Sequence, residues 1–110
     1  MTQCEIWYAD LNPIKGSEQK GFRPVVIISG NLLNKYLQIV IACPLTTKIK
    51  GYKGNIILEP NNQNGLLKKS EVIVFHIRSI SKERLVKKTG SITSKQLSEI
   101  KQGLRDVLKY

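Results

Sequence analysis

GSEQKGFRPVVIIS, residues 16–29, changes character within two residues. Through Gly21 it is a polar loop bracketed by glycines; from Val25 it is an unbroken run of Val and Ile, with Arg23 and Pro24 at the junction. Strand side chains alternate between the two faces of a sheet, so a run that is apolar at every position predicts a strand buried on both sides. Pro24 biases the preceding residue toward extended backbone. The guanidinium of Arg23 is therefore carried on a stiff segment where a loop of small polar residues ends.

Reading outward from this run, short strands follow one another between turn signals. EIWYADL (residues 5–11) alternates weakly and stops at Asn12-Pro13; PVVIIS (24–29) is stopped by Gly30-Asn31; KYLQIVIACPL (35–45) reads as a longer strand. The basic loop TTKIKGYKG (46–54) leads to NIILE (55–59), the turn PNNQNG (60–65) and SEVIVFHIRSI (70–80), the longest β-branched stretch. Five strands punctuated by Gly, Asn and Pro predict a small barrel or tightly curled sheet. Trp7 and Tyr8 are consecutive and so face opposite ways, one toward the core and one toward a surface.

Helix enters late. TSKQLSEIKQGLRDVLK (93–109) places Leu97, Ile100, Leu104, Val107 and Leu108 at three- and four-residue spacings, and Thr93 with Gln96 fits a capping box. Gly103 within it costs about 1 kcal/mol relative to alanine. SKERLVKK (81–88) predicts a further helical turn. With no repeat, linker or low-complexity segment, residues 1–110 are expected to form one domain, mainly β with added helices (α+β).

Composition narrows the partners. The chain carries 18 Lys and Arg against 8 Asp and Glu, a net charge of +10, which favours polyanions. Neither an apolar stretch of about 18 residues nor a basic-then-apolar amino terminus is present, so the expectation is a cytoplasmic protein without a membrane partner. Cys4, Cys43 and the single His76 cannot supply four zinc ligands by themselves. Both cysteines read as reduced packing residues, and neither a metal nor another cofactor is expected.

Two loops carry the candidate chemistry. One is the approach to Arg23; the other, PLTTKIKGYKG (44–54), brings Thr46 and Thr47 and then Lys48, Lys50 and Lys53 around Tyr52. Lysines that follow phosphates, interleaved with a ring that stacks on a base, suit single-stranded nucleic acid, although lysine-rich loops between strands are commonly only solvated. The segments EIWYADLNPIKGSEQKGFRPVVIIS, CPLTTKIKGY and VIVFHIRSISKERL, with the carboxy-terminal helix, resemble the MazF/PemK toxins of bacterial toxin–antitoxin systems along essentially the whole chain. The resemblance implies an SH3-like small barrel of the CcdB/MazF type, a homodimer, and a sequence-specific endoribonuclease acting on single-stranded RNA, chiefly messenger RNA. It also implies control by a cognate acidic antitoxin of the MazE/PemI kind. By position, Arg23 and Thr46 match the two principal catalytic residues, and Glu18 of the GSEQ loop shapes the loop or positions substrate. Gln19, Lys20, Thr47, Lys48, Lys50, Tyr52, Lys53 and Arg78 are the candidate RNA contacts. The chain departs from the family at Cys4, where glycine is usual, and at His76, where glutamine is common.

The chemistry follows from the substrate. RNA brings its own nucleophile, the 2′-OH, so an enzyme must align it, move a proton and stabilise the charge of a phosphorane-like transition state. Arginine's planar fork suits phosphate oxygens, and its pKa above 12 makes it a poor general base. Arg23 is therefore assigned to transition-state stabilisation, with protonation of the leaving 5′-oxygen as a second role, and Thr46 to a hydrogen bond with a phosphate oxygen or the 2′-OH. Thr47 is expected to cap the turn beside it. His76, on a regular strand, would share a face with Val72, Val74 and Arg78 and tune substrate contact without being essential. Two other readings remain: a non-catalytic nucleic-acid-binding barrel, and a CcdB-like gyrase-directed toxin; the Arg-Pro and Thr-Thr pairs favour RNA cleavage over the latter.

Overall fold

Val25, Val26 and Ile27 are all fully buried. Val26 joins one apolar cluster with Ile6, Cys43, Leu45 and Val72, while Val25 and Ile27 join another with Ala9, Val40 and Ala42. Their strand is therefore central. In the computed structural model, which describes residues 1–11 and 21–110, β2 (Phe22–Ile27) lies antiparallel between β1 (Glu5–Asp10) and β3 (Ile39–Thr46). The strands β4 (Ile56–Leu58), β5 (Ser70–Val72), β6 (Arg78–Ser81) and β7 (Leu85–Ser91) extend it in the order β4-β5-β3-β2-β1-β7, with β6 also on β3. The sheet curls until the turn after β4 meets β7. There the Ser91 N–H donates to the Gln63 carbonyl at 2.9 Å and the Thr89 hydroxyl to the Asn64 carbonyl at 3.2 Å. The result is the curled, mainly β architecture with added helices that the sequence implied.

One face is covered by α2 (Ser94–Lys109), which opens on the expected capping box: the Gln96 N–H donates to Thr93 Oγ1 at 3.1 Å and the Thr93 N–H to Gln96 Oε1 at 2.9 Å. Leu97 and Ile100 enter the first cluster and Leu104 packs on its margin. Val107 and Leu108, expected in the same stripe, are exposed, because the helix outruns the cluster after Leu104. Among the described residues no helix is long and apolar enough to cross a membrane.

Among the described residues the sheet has seven strands where five were expected. A short helix, α1 (Asn31–Tyr36), precedes β3, so that strand starts at Ile39 and not at Lys35. The helix gives no apolar period, because its buried residue is Asn34, whose amide donates to the Ser29 carbonyl at 2.9 Å, whereas Leu32 and Tyr36 face solvent. The expected strand 70–80 is cut into β5, a 3-10 turn at Val74–His76, and β6. Between Leu45↔Val72 and Ala42↔Arg78, β3 advances three residues and its partner six, so three extra residues loop out. Residues 82–84 do form a helical turn, but β7 begins at Leu85. Leu85 is the only buried residue of this edge strand, which hides its period.

Both cysteines are free thiols, and burial pushes Cys43 up to about 12, so it stays protonated and inert at neutral pH. Cys4 holds φ 80°, the only positive value on a non-glycine among the described residues, at the position where the resemblance led one to expect glycine.

Gly103 is a contact and not merely a helix weakness. A Cβ there would fall 2.0 Å from the Gly54 carbonyl oxygen, so α2 and the loop after β3 touch backbone to backbone. Gly103→Ala should therefore destabilise the protein by about 1–2 kcal/mol, overpacking outweighing the roughly 1 kcal/mol of helix propensity gained. Thermal unfolding checks this: a melting temperature several degrees lower is expected, and an unchanged or higher one contradicts the contact.

Candidate active site

Cross-strand register brings the candidate residues to one end of the sheet. Arg23 pairs with Ala9 on one side; on the other, the β2–β3 register Val25↔Pro44, carried two residues further, sets Arg23 level with Thr46. Thr46 in turn pairs with Glu71, and Glu71 with Ile57. Neighbouring strands lie about 4.8 Å apart, so these residues form a row across the sheet end. Arg23 is half-buried and lines a groove of about 290 Å³ with Tyr8, Phe22, Thr47 and Lys68 over an apolar floor that includes Leu45 and Leu66. Tyr8 is thus the surface partner of the Trp7–Tyr8 pair, and Trp7 packs on the second cluster.

The two threonines divide differently from expectation. Thr46 is buried, and its Oγ1 accepts the Lys48 N–H at 3.1 Å, so Thr46 caps the turn; Thr47 is exposed and lines the groove. Alternation explains this, since Leu45 and Thr47 share the groove side and Thr46 points to the other face. The Thr46 hydroxyl keeps its own proton to donate.

Beneath the basic loop lies a carboxylate that sequence reasoning missed. Glu71 is 0 % exposed. Its Oε1 accepts the Lys50 N–H at 2.8 Å and the Gly51 N–H at 3.1 Å; its Oε2 accepts the Tyr52 N–H and the Asn55 Nδ2, both at 3.0 Å. Asn55 Oδ1 accepts the Val74 N–H at 3.0 Å, tying the loop to the 3-10 turn. Burial pushes the Glu71 carboxyl up, but hydrogen bonds from Asn55 and from the Lys50, Gly51 and Tyr52 backbone outweigh it and hold the group below the usual carboxylate range. Successive backbone N–H groups wrapped on an anion form a nest, and Gly51, at φ 69°, supplies the left-handed residue in it. The sequence signal was an acidic residue inside an otherwise apolar strand, SEVIV.

So supported, the loop leaves Lys48, Lys50, Tyr52 and Lys53 exposed. The Tyr52 ring meets Phe75 edge-on at 5.5 Å, and Phe75 meets His76 edge-on at 4.9 Å. His76 thus lies on the 3-10 turn, and the shared strand face with Val72, Val74 and Arg78 does not form. Arg78 sits on β6 opposite Ala42, four residues along β3 from Thr46, or about 13 Å at 3.3 Å per residue, outside the cluster. Glu18, Gln19 and Lys20 lie outside the described residues. Among the described residues no three His, Cys, Asp or Glu side chains converge as a metal site.

Comparison with known proteins agrees with this geometry. Residues 2–108 match the family described as the PemK-like, MazF-like toxin of type II toxin–antitoxin systems. The chain is 35% identical over 105 residues to the endoribonuclease MazF of Staphylococcus saprophyticus, covering 94% of this chain and 88% of that protein. Among solved structures, MazF from Deinococcus radiodurans superposes with a TM-score of 0.86 at 25% identity, covering 100% of this chain and 97% of that one. A mycobacterial endoribonuclease solved with its cognate antitoxin shares the fold, with a TM-score of 0.81 at 22% identity over 98% of this chain and 94% of that one.

The depressed Glu71 carboxyl fixes a pH dependence. A group whose folded value lies below its unfolded one adds stability above the unfolded value, about 4.3, and loses it as pH falls through the folded value. Glu71→Gln turns an amide donor toward donors and should lower stability at pH 7 by about 2–4 kcal/mol while flattening the loss below about pH 4.3. Urea unfolding across pH checks this. Wild-type stability in the variant, or an unchanged acid limb, contradicts it.

Proposed function

This chain belongs to the PemK-like, MazF-like toxin family of type II toxin–antitoxin systems, and we infer from that membership and from the site that it is the toxin endoribonuclease, cleaving single-stranded RNA at the sheet end that carries Arg23 and Thr46. The observation that supports the catalytic assignment is the β2–β3 register, which, continued past Val25↔Pro44, sets Arg23 level with Thr46, next to a basic loop shaped by Glu71. Messenger RNA is the substrate, the active unit is a homodimer, and the activity is cytoplasmic.

The 2′-oxygen attacks the adjacent phosphorus, the P–O5′ bond breaks, one proton leaves the 2′-OH and one joins the 5′-oxygen. The products are a 2′,3′-cyclic phosphate and a 5′-OH, with no net consumption of water or protons. Arg23 donates to the phosphate oxygens as their charge grows, a contact strongest in the transition state. At the sheet end the Thr46 O–H donates to a phosphate oxygen or orients the 2′-OH, and the exposed Thr47 hydroxyl, on the opposite face of the strand, steadies the RNA in the adjoining groove. Lys48, Lys50, Lys53 and Lys68 draw the phosphate chain along it. No step calls for a metal ion.

Purified protein should cut RNA in EDTA, and a 2′-deoxy residue at the scissile position should block the cut. Arg23→Ala and Thr46→Ala should each lower kcat about a hundredfold or more with the fold intact, and Thr46→Ser should recover much of the loss. Cutting of the 2′-deoxy substrate, strict dependence on magnesium, or a folded Arg23→Ala protein with near-normal turnover contradicts the assignment. Uncut RNA that still binds tightly points instead to a binding barrel.

The same basic surface is the binding site for an acidic antitoxin segment, which orders as it binds and covers the phosphate path. RNA and antitoxin should therefore compete, and RNA binding should weaken with salt at a log–log slope of roughly −0.7 per phosphate neutralised. An antitoxin that inhibits while RNA stays bound contradicts shared occupancy.

A further inference from the structure

We propose that Tyr52, Phe75 and His76 form a nucleobase subsite beside the scissile position, which stacks one unpaired base and selects keto bases over amino bases there; the proposal rests on the ribonuclease reading above. The three rings make a continuous edge-to-face row, with centroids 5.5 and 4.9 Å apart, and both Tyr52 (52 %) and Phe75 (43 %) expose much of their surface. Apolar rings kept open to solvent on a chain of net charge +10 are the arrangement that single-stranded RNA uses, because every base offers a π-face. The row lies next to the cleavage site: the Tyr52 N–H is bound to the Glu71 carboxylate, and Glu71 pairs with Thr46.

His76 supplies the selectivity. Its Nδ1 is sealed from solvent and has no hydrogen-bond partner. A sealed N–H without an acceptor is costlier than a sealed lone pair, which assigns the proton to the other nitrogen, Nε2. His76 is only half-buried with Nδ1 on its sealed side, so the subsite takes Nε2–H, on the other side of the ring, as its donor. A donor held beside a stacked base donates to O4 of uracil or O6 of guanine and meets N4 of cytosine or N6 of adenine donor to donor. The same geometry denies His76 the role of general base, since its lone pair is the sealed one.

The test is kinetics on short single-stranded RNAs varied one position at a time around the cut, including guanine against 2-aminopurine and uracil against cytosine. Wild type should favour keto bases about tenfold at one position within two nucleotides of the cut. His76→Leu should abolish that preference with the pH–rate profile unchanged, and His76→Gln, which keeps an N–H donor, should retain it. Phe75→Ala should raise KM about tenfold with kcat nearly held, while Phe75→Tyr keeps the wild-type KM. Melting curves confirm that each variant is folded, and any variant that fails this is replaced by Tyr52→Ala, which carries the same KM expectation. Cleavage without a keto preference, a preference that survives His76→Leu, or an unchanged KM in a folded ring-deletion variant overturns the subsite and leaves the ribonuclease reading standing. Absence of RNA cleavage by wild type overturns both.

Discussion

A carboxylate buried with no lysine or arginine side chain among its four donors constrains everything around it. Glu71 is satisfied by three consecutive backbone N–H groups and one amide, and all four come from residues 50–55. An unpaired buried charge costs several kcal/mol, so the loop cannot lift away without stripping the carboxylate of all four of its donors. The loop with the site's lysines is thereby held to the sheet by its backbone, and its side chains are left free to face a polyanion. A strand residue with an apolar side chain at this position would leave the same N–H groups to water and the loop without a fixed shape.

The second anchor is steric. Gly54 and Gly103 meet backbone to backbone, so the helix that covers one face of the sheet also bounds the loop. The third is the double burial of β2, which places Val25 and Val26 in different clusters and fixes the strand that begins with Arg23. Arginine, threonine and the lysine loop thus come from three separate elements, each tied to the core independently. Preorganised donors of this kind stabilise developing charge without reorganising during the reaction.

What the sequence disclosed was local. The run after Arg23, the capping box at Thr93 and the turn residues each follow from the physics of a few neighbouring residues, and the architecture followed from them. Features that depend on tertiary partners were hidden. Asn34 made α1 invisible because a polar residue fills its buried position. The break at Val74–His76 lies in a β-branched stretch whose propensity favours strand, and it is set by Asn55, nineteen residues away, taking the Val74 N–H. Gly103 looked like a weakness until Gly54 stood opposite it. Thr46 and not Thr47 caps the turn, because strand phase at the end of β3 cannot be counted from an uncertain start. Composition and spacing led as far as a polyanion partner; the step to RNA cleavage came through family resemblance in the Arg-Pro and Thr-Thr segments.

The basic loop is formed before RNA arrives. Amide hydrogen exchange in the free protein at neutral pH reads this directly at Lys50, Gly51 and Tyr52, whose N–H groups are the ones that Glu71 accepts. Protection comparable to that of the β2–β3 ladder is the predicted result. Exchange of these three amides at the rate of an unstructured chain, with protection appearing only on RNA binding, would contradict it.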